Sequence, residues 1–471
     1  MRQAWIGLAA LASLPGLPGC VHTPPPTQTL TDGSNNIVCN FSHRLPDDPI
    51  VYPGQPGISM QHDFFGNTTA NAYTTASTLQ RVSGTTCENA ADASGYWAPS
   101  LRLPDGTVVA PMYQKTYYTN QAVPSSRRVT VRPFPLGLQM MVGDHSGSGP
   151  NPRVSFLCTG RGYTNTIPTN CKPDPETGTQ FNIGMNFPTC WDGRTLAPVM
   201  GGRDNMAYPD NDGNCPAGYP VHLPEVNMNI AYRLGQITDL TNVQLSLDPE
   251  LDAQGNVVRQ RWGSLYTAHG DFFMGWREQA ARFMVGYCMN KGRVCNREVA
   301  YAYDEVTEDA TVRSGDATNR GGEPALYAEQ ASGTTPESTI YIKVRIPSGA
   351  AALPPDFAAR YVLLVDGGNV TDTSAVNIHA YSVSTAWSEQ TISGTNAPAC
   401  SGTSAALYLD NTMQYRGFTV TQAVNEALAA GRDTVAFCIR GAGAGRVFQF
   451  SSRESANKPV LYLIAVNPLP S

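Results

Sequence analysis

Eleven cysteines set the tightest bound on what this 471-residue chain can fold into. Cys20 stands alone near the start. The other ten are Cys39, Cys87, Cys158, Cys171, Cys190, Cys215, Cys288, Cys295, Cys400 and Cys438. Ten is even, and no C-x-x-C spacing suggests zinc or redox chemistry, so five disulfides in an oxidising compartment are expected. Ten cysteines allow very many connectivities. Pairing sequence neighbours gives Cys158–Cys171, Cys190–Cys215, Cys288–Cys295 and Cys400–Cys438, and leaves Cys39 with Cys87. Each bridge would stabilise its loop by about 2–4 kcal/mol.

The residues before Cys20 read as an export signal. Arg2 gives a positive start, Trp5, Ile6 and Leu8 to Ala12 form a short apolar run, and small Gly19 precedes the cysteine. The run is too short to span a bilayer as a helix, which favours a cleavable signal. The pattern resembles a bacterial lipoprotein signal. That resemblance implies a signal peptide over 1–19, lipidation of Cys20, and anchoring at the cell surface or in the periplasm. Residues 20–35, with Pro24-Pro25-Pro26, read as a stiff tether. No later stretch approaches eighteen apolar residues, so membrane contact is expected through the lipid alone.

The rest is long enough for two domains. Charged residues make up only 15%, while Gly (44) and Pro (36) are plentiful, which suits a loop-rich, mainly β, exported protein. Net charge is −6 with no Lys/Arg cluster, arguing against nucleic acid as a partner. Residues 36–298 are expected to form a disulfide-bonded, β-rich domain with few helices. One helix is suggested from near Asp271, with Phe273, Trp276, Ala280, Phe283, Met284 and Tyr287 at helical spacing. Asp271 would be its N-cap. Residues 304–471 are expected to form a β-sandwich. There Ile340, Ile342, Val344 and Ile346 alternate with Tyr341, Lys343 and Arg345 as a half-buried strand. Further strands are expected over 361–365, 376–383, 434–440, 447–451 and 460–466, and a helix over 421–430 capped by Gly431. The glycines of 441–445 read as a hairpin turn.

Two stretches carry family resemblances. Asp309-Ala310-Thr311-Val312-Arg313, Asn319-Arg320-Gly321, Trp387-Ser388-Glu389, Asn396-Ala397-Pro398 and Phe450-Ser451-Ser452-Arg453-Glu454 resemble the DNRLRE domain, which is related to carbohydrate-binding module family 96. That implies a jelly-roll β-sandwich and a polysaccharide or cell-wall glycan as partner. His62-Asp63-Phe64-Phe65-Gly66-Asn67, Asp92-Ala93-Ser94-Gly95-Tyr96-Trp97-Ala98-Pro99, Cys190-Trp191-Asp192-Gly193, His222-Leu223-Pro224 and His269-Gly270-Asp271-Phe272-Phe273 resemble the family called domain of unknown function 1996. Members are secreted and often stand beside carbohydrate-related modules, so this resemblance implies architecture more than chemistry. The chain departs from the family pattern at two places. Met60 stands where a histidine is expected, and Gly201-Gly202 stands near an expected Asp-His pair.

The candidate chemistry is concentrated in the larger domain. His62-Asp63 and His269-Gly270-Asp271 each set an imidazole close to a carboxylate, and each is followed by Phe-Phe. Their meeting in one pocket would give an acid/base cluster or part of a metal site. Asp92 and Asp192 stand close to Trp97 and Trp191, and a carboxylate beside an aromatic platform suits a sugar. Asp63, Asp271, His62, His269, Asp92 and Asp192 are therefore the candidate catalytic residues. Trp97, Tyr96, Trp191, Trp276 and His222 are the candidates for substrate binding. Each has a blander role available: a helix cap for Asp271, a turn for Asp92, core for Trp97 and Trp276, a strand position for His222. No HExxH motif and no paired-cysteine zinc spacing appears, so neither a metal nor another cofactor is expected.

Three readings stay open. The first is a glycoside hydrolase using paired carboxylates, with an appended carbohydrate-binding module. The second is a non-catalytic glycan-binding or adhesion protein. The third is a histidine-dependent metalloprotein, which three nitrogen or oxygen ligands meeting at one point would favour.

Overall fold

The computed structural model describes residues 31–81, 84–200 and 204–467. The signal over 1–19, Cys20 and most of the tether lie outside them, as do Gly201 and Gly202. Five disulfides join Cys39 to Cys87, Cys158 to Cys171, Cys190 to Cys215, Cys288 to Cys295 and Cys400 to Cys438. The protein is mainly β with few helices.

The N-terminal domain is built on a nine-stranded antiparallel sheet. Its order is Gln139–Gly143, His269–Phe273, Gly95–Pro99, His62–Gly66, Ser34–Leu45, Tyr113–Thr119, Glu225–Arg233, Gln180–Asn186 and Val154–Cys158. The long strand Ser34–Leu45 makes the sheet turn a corner. Its first half pairs with Tyr113–Thr119, its second half with His62–Gly66, and the register shifts between Phe41 and His43. A bulge at that point bends the strand and increases its twist.

Alternation along three adjacent strands sorts the side chains. Phe65, Tyr96, Ala98 and Phe272 enter the main core, while Phe64, Trp97 and Phe273 join Ile50, Ala70 and Leu79 in a second, smaller core. His62, His269 and Asp271 lie on the strand face that carries the second core. Asp271 is thus a mid-strand residue, opposite Trp97 on one side and Met141 on the other. The expected helix does not start there. It spans Glu278–Phe283 and continues as a wider turn over Met284–Cys288. Phe273 and Trp276 matched helical spacing only because two unrelated cores need an apolar residue at those positions.

The C-terminal domain is a sandwich of two strand series. One runs through Glu308–Arg313, Ser338–Arg345, Thr434–Arg440, Val376–Val383 and Ser404–Leu409. The other groups Ala302–Glu305, Val460–Val466, Ala358–Asn369, Val447–Ser451, Ala325–Glu329 and Gln414–Thr419. Ile340, Ile342 and Val344 from the first pack with Leu363, Val365, Phe448, Phe450, Leu461 and Leu463 from the second. The strand Ser338–Arg345 is buried on both faces, not one. Residues 384–402 cover its outer face: Tyr341 Oη donates to the Pro398 carbonyl at 2.6 Å, and Lys343 lies 4.5 Å from the Trp387 ring. The glycines of 441–445 do not close a hairpin. Thr434–Arg440 and Val447–Ser451 pair with different strands, so the loop crosses between the two series.

The two domains share a core. Phe283 stacks on Tyr287 at 5.1 Å and lies tilted against Tyr462 at 4.7 Å. Asn89 Nδ2 donates to the carbonyls of Arg297 and Val299, and the Ala90 N–H donates to the Ala465 carbonyl at 2.9 Å.

Candidate functional site

His62 and His269 meet. Their ring centroids stand 5.9 Å apart, nearly perpendicular. Nitrogen atoms of both and a carboxylate oxygen of Asp271 lie within 4.8 Å of one another. The strand Gly95–Pro99 separates the strands that carry them, so facing side chains from either side converge over it.

Each imidazole is oriented by backbone. His62 Nδ1 lies 2.9 Å from the Asp47 carbonyl, and His269 Nδ1 lies 2.9 Å from the Thr267 carbonyl. A carbonyl only accepts, so both Nδ1 atoms carry the proton and both Nε2 atoms hold a lone pair. His62 Nε2 is buried with no partner among the described residues, and so is Asp271 Oδ2. His62 is fully buried, Asp271 is 2% exposed, and His269 is half-buried. Burial drives both histidines down to about 4, with the His62 imidazole contributing to the fall at His269. Burial also raises the Asp271 carboxyl well above its ordinary range, with Asp48 adding to the rise. Burial thus favours the neutral form of all three groups.

Three neighbours complete the setting. Asp48 accepts the Ile50 and Val51 N–H groups on Oδ1 and is buried. Asp248 accepts from the Met60 N–H and from Tyr52 Oη. The exposed His145 ring stands 6.3 Å from that of His269. None of the three sits in a repeated polar pattern in the sequence; the backbone trace of 46–61, the strand Gln244–Leu251 and the loop after Gly143 bring them in.

The remaining candidates are employed elsewhere. Asp63 points to the opposite strand face, where it takes Arg44 Nε at 2.6 Å, Arg44 Nη2 at 3.2 Å and Ser100 Oγ at 2.9 Å. It is fully buried, and a carboxylate locked on a guanidinium is no acid/base partner for the histidines. Asp92, Tyr96 and Trp276 belong to a buried chain. Trp276 Nε1 donates to Tyr118 Oη, Tyr118 meets Tyr96, and Tyr96 Oη donates to Asp92 Oδ2 at 2.7 Å. Burial raises Asp92 to about 6. Trp97 is fully buried against Phe64, with ring centroids 5.5 Å apart. None of these three rings presents a face to a sugar.

Asp192 holds a turn, accepting from the Arg194 and Thr195 N–H groups and Thr195 Oγ1, all at 2.8 Å. Trp191 is half-buried and donates its indole N–H to the Thr195 carbonyl. His222 is half-buried, its Nδ1 3.2 Å from Cys215 Sγ. That sulfur is committed to the Cys190–Cys215 bridge, so this trio offers no thiolate to a metal.

A cleft of about 660 Å³ opens at the edge strand Gln139–Gly143. Met141 and Gly143 line it, and they are the register partners of Asp271 and His269. Its far wall carries Arg153, whose guanidinium lies 3.9 Å above the Tyr208 ring, together with Asp204 and Asn205.

No curated protein matches this chain. Residues 48–276 match the family described as Domain of unknown function (DUF1996), which spans the histidine cluster and the cleft. Residues 300–465 match carbohydrate-binding module family 96. The two domains thus follow one another in the order DUF1996, then carbohydrate-binding module family 96, with five disulfides that suit an extracellular protein.

Proposed function

We propose that this is an exported, lipid-anchored protein that captures a polysaccharide through its C-terminal module and modifies it at the His62–His269–Asp271 centre. One observation carries the catalytic half: three groups from two distant parts of the chain converge with unpartnered buried atoms, and the strand next to His269 and Asp271 lines a cleft. A fold that buries polar atoms without partners gives up stability, and such sites are commonly functional. The carboxylate-pair hydrolase is the weaker form of this reading. Asp63, Asp92 and Asp192 are each buried and held by other partners, so Asp271 has no second catalytic carboxylate from that set. The histidines supply the chemistry instead: each neutral ring offers an Nε2 lone pair, to a proton or to a cation.

The test is a panel of soluble and insoluble polysaccharides incubated with the full chain. Binding to one glycan class with new sugar ends in solution supports the reading. Binding without any product, unchanged by Asp271→Asn, supports a non-catalytic glycan-binding protein instead. The buried state of Tyr96, Trp97 and Trp276 removes these sugar platforms from both readings.

A further inference from the structure

The geometry points to a bound divalent first-row transition-metal ion, of the zinc or ferrous kind, held by His62, His269 and Asp271. This deepens the proposal of a catalytic centre at these residues and rests on it only for the ion's role, not for its binding.

The donor set comes first. Two imidazole nitrogens and one carboxylate oxygen are borderline donors that suit zinc and ferrous iron, whereas calcium and magnesium call for oxygen ligands throughout. Three protein ligands are the number that leaves a position open for water or substrate. Orientation is the second argument. Metal-bound histidines commonly donate their other ring N–H to a carbonyl or carboxylate, which fixes the ring and directs the free nitrogen at the ion. Both histidines already do so, onto Asp47 and Thr267 carbonyls at 2.9 Å. The third argument is the set of orphaned atoms. His62 Nε2 and Asp271 Oδ2 are buried and lack partners among the described residues. A cation would satisfy both at once.

Charge completes the picture. Binding involves no redox step. The resulting +2 ion would face one carboxylate directly and the buried Asp48 nearby. The atoms span up to 4.8 Å, so the rings need to close on the ion by small side-chain rotations to reach bonds of about 2.0–2.2 Å. The half-buried His269 marks the open side, toward the exposed His145.

The experiment uses the full chain, stripped with chelator and dialysed, then titrated with Zn²⁺ by calorimetry and with Co²⁺ by visible absorption. About one equivalent per chain and the d–d bands of a low-coordinate cobalt site are expected. Asp271→Asn and His62→Ala should weaken Zn²⁺ binding by more than ~100-fold, beyond the roughly 10–100-fold that loss of a supporting contact costs. Asp192→Asn should leave it unchanged. Asp271→Asn is isosteric, so it remains informative if His62→Ala fails to fold. Less than about a fifth of an equivalent bound by the stripped chain would overturn the proposal, as would wild-type affinity in Asp271→Asn. Glycan turnover that survives full chelation would remove the metal from the reaction while leaving the catalytic reading intact. One tightly bound ion with no turnover on any glycan would do the reverse.

Discussion

His62 and His269 face each other edge to plane at 5.9 Å, and each donates Nδ1–H to a backbone carbonyl behind it. Two cations at that distance in a buried site would repel strongly, and burial disfavours even one, so the neutral pair is favoured. The carbonyls at Asp47 and Thr267 then dictate the tautomer. Nitrogen-15 spectra of the chelator-treated protein at neutral pH should show Nδ1 protonated and Nε2 bare in both residues. The opposite tautomer in either ring would remove the lone pair from the centre and with it the acid/base role.

Asp63 separates structural from chemical carboxylates. Its two oxygens are held by Arg44 and Ser100, and the Arg44 side chain is 25% exposed. Asp63→Ala should destabilise the fold by about 2–3 kcal/mol, near the lower end for breaking a buried ion pair, because solvent still reaches the guanidinium. Zn²⁺ affinity, measured on whatever fraction folds, should stay within a factor of two of wild type. A folded Asp63→Asn protein that has lost metal or glycan chemistry would show that this carboxylate serves the site after all.

Much of the fold is legible because β-alternation is a local signal. Val376–Val383, Thr434–Arg440, Val447–Ser451 and Val460–Val466 can be read from their own residues, and Gly431, at φ +70, ends the short helix as expected. What a strand packs against is not local. Lys343 looks solvent-facing in sequence, yet residues 384–402 bury it beside Trp387 and Glu308. The site shows the same division. His62 and His269 stand out as polar residues in apolar strands, and their meeting can be anticipated. The fate of Asp63 cannot, because its neighbour in sequence is on the other face of the strand and Arg44 comes from the strand alongside.

Gly143 tests how tightly the centre is positioned. It has φ +96, and a Cβ there would lie 2.2 Å from the Ala268 carbonyl oxygen and 2.5 Å from the His269 Cα. Both obstacles are backbone, so neither can swing away. Gly143→Ala should cost about 1–3 kcal/mol and displace the strand that carries His269. The useful readout is the ratio of effects. Weakened metal binding in a protein that still melts cooperatively would show that the edge strand sets the histidine's position. A loss of stability with unchanged metal affinity would show that His269 is held by Thr267 alone.

Asp309 gives the C-terminal domain a pH dependence of definite sign. Burial, aided by Glu454 and Glu389 and opposed by the Arg453 N–H and guanidinium, raises it from 3.8 to about 7. The N–H of Arg453 reaches Oδ2 at 2.7 Å, while Oδ1 is buried without a partner. Between those two values the folded protein holds a proton that the unfolded chain has lost. Stability from this residue is therefore greatest near pH 4 and below, declines as pH rises through about 7, and is flat beyond. The total is a few kcal/mol at most, because each tenfold difference in proton affinity between the folded and unfolded chain is worth about 1.4 kcal/mol. Asp309→Asn keeps an acceptor for Arg453 and removes the titrating proton. Denaturant midpoints from pH 5 to 8 should fall in wild type and stay nearly level in the variant, so that the variant is the more stable protein at pH 8. Parallel profiles for the two would mean that the Arg453 guanidinium, 3.4 Å from Glu389 and 2.7 Å from Glu454, already neutralises the cluster and keeps Asp309 ionised.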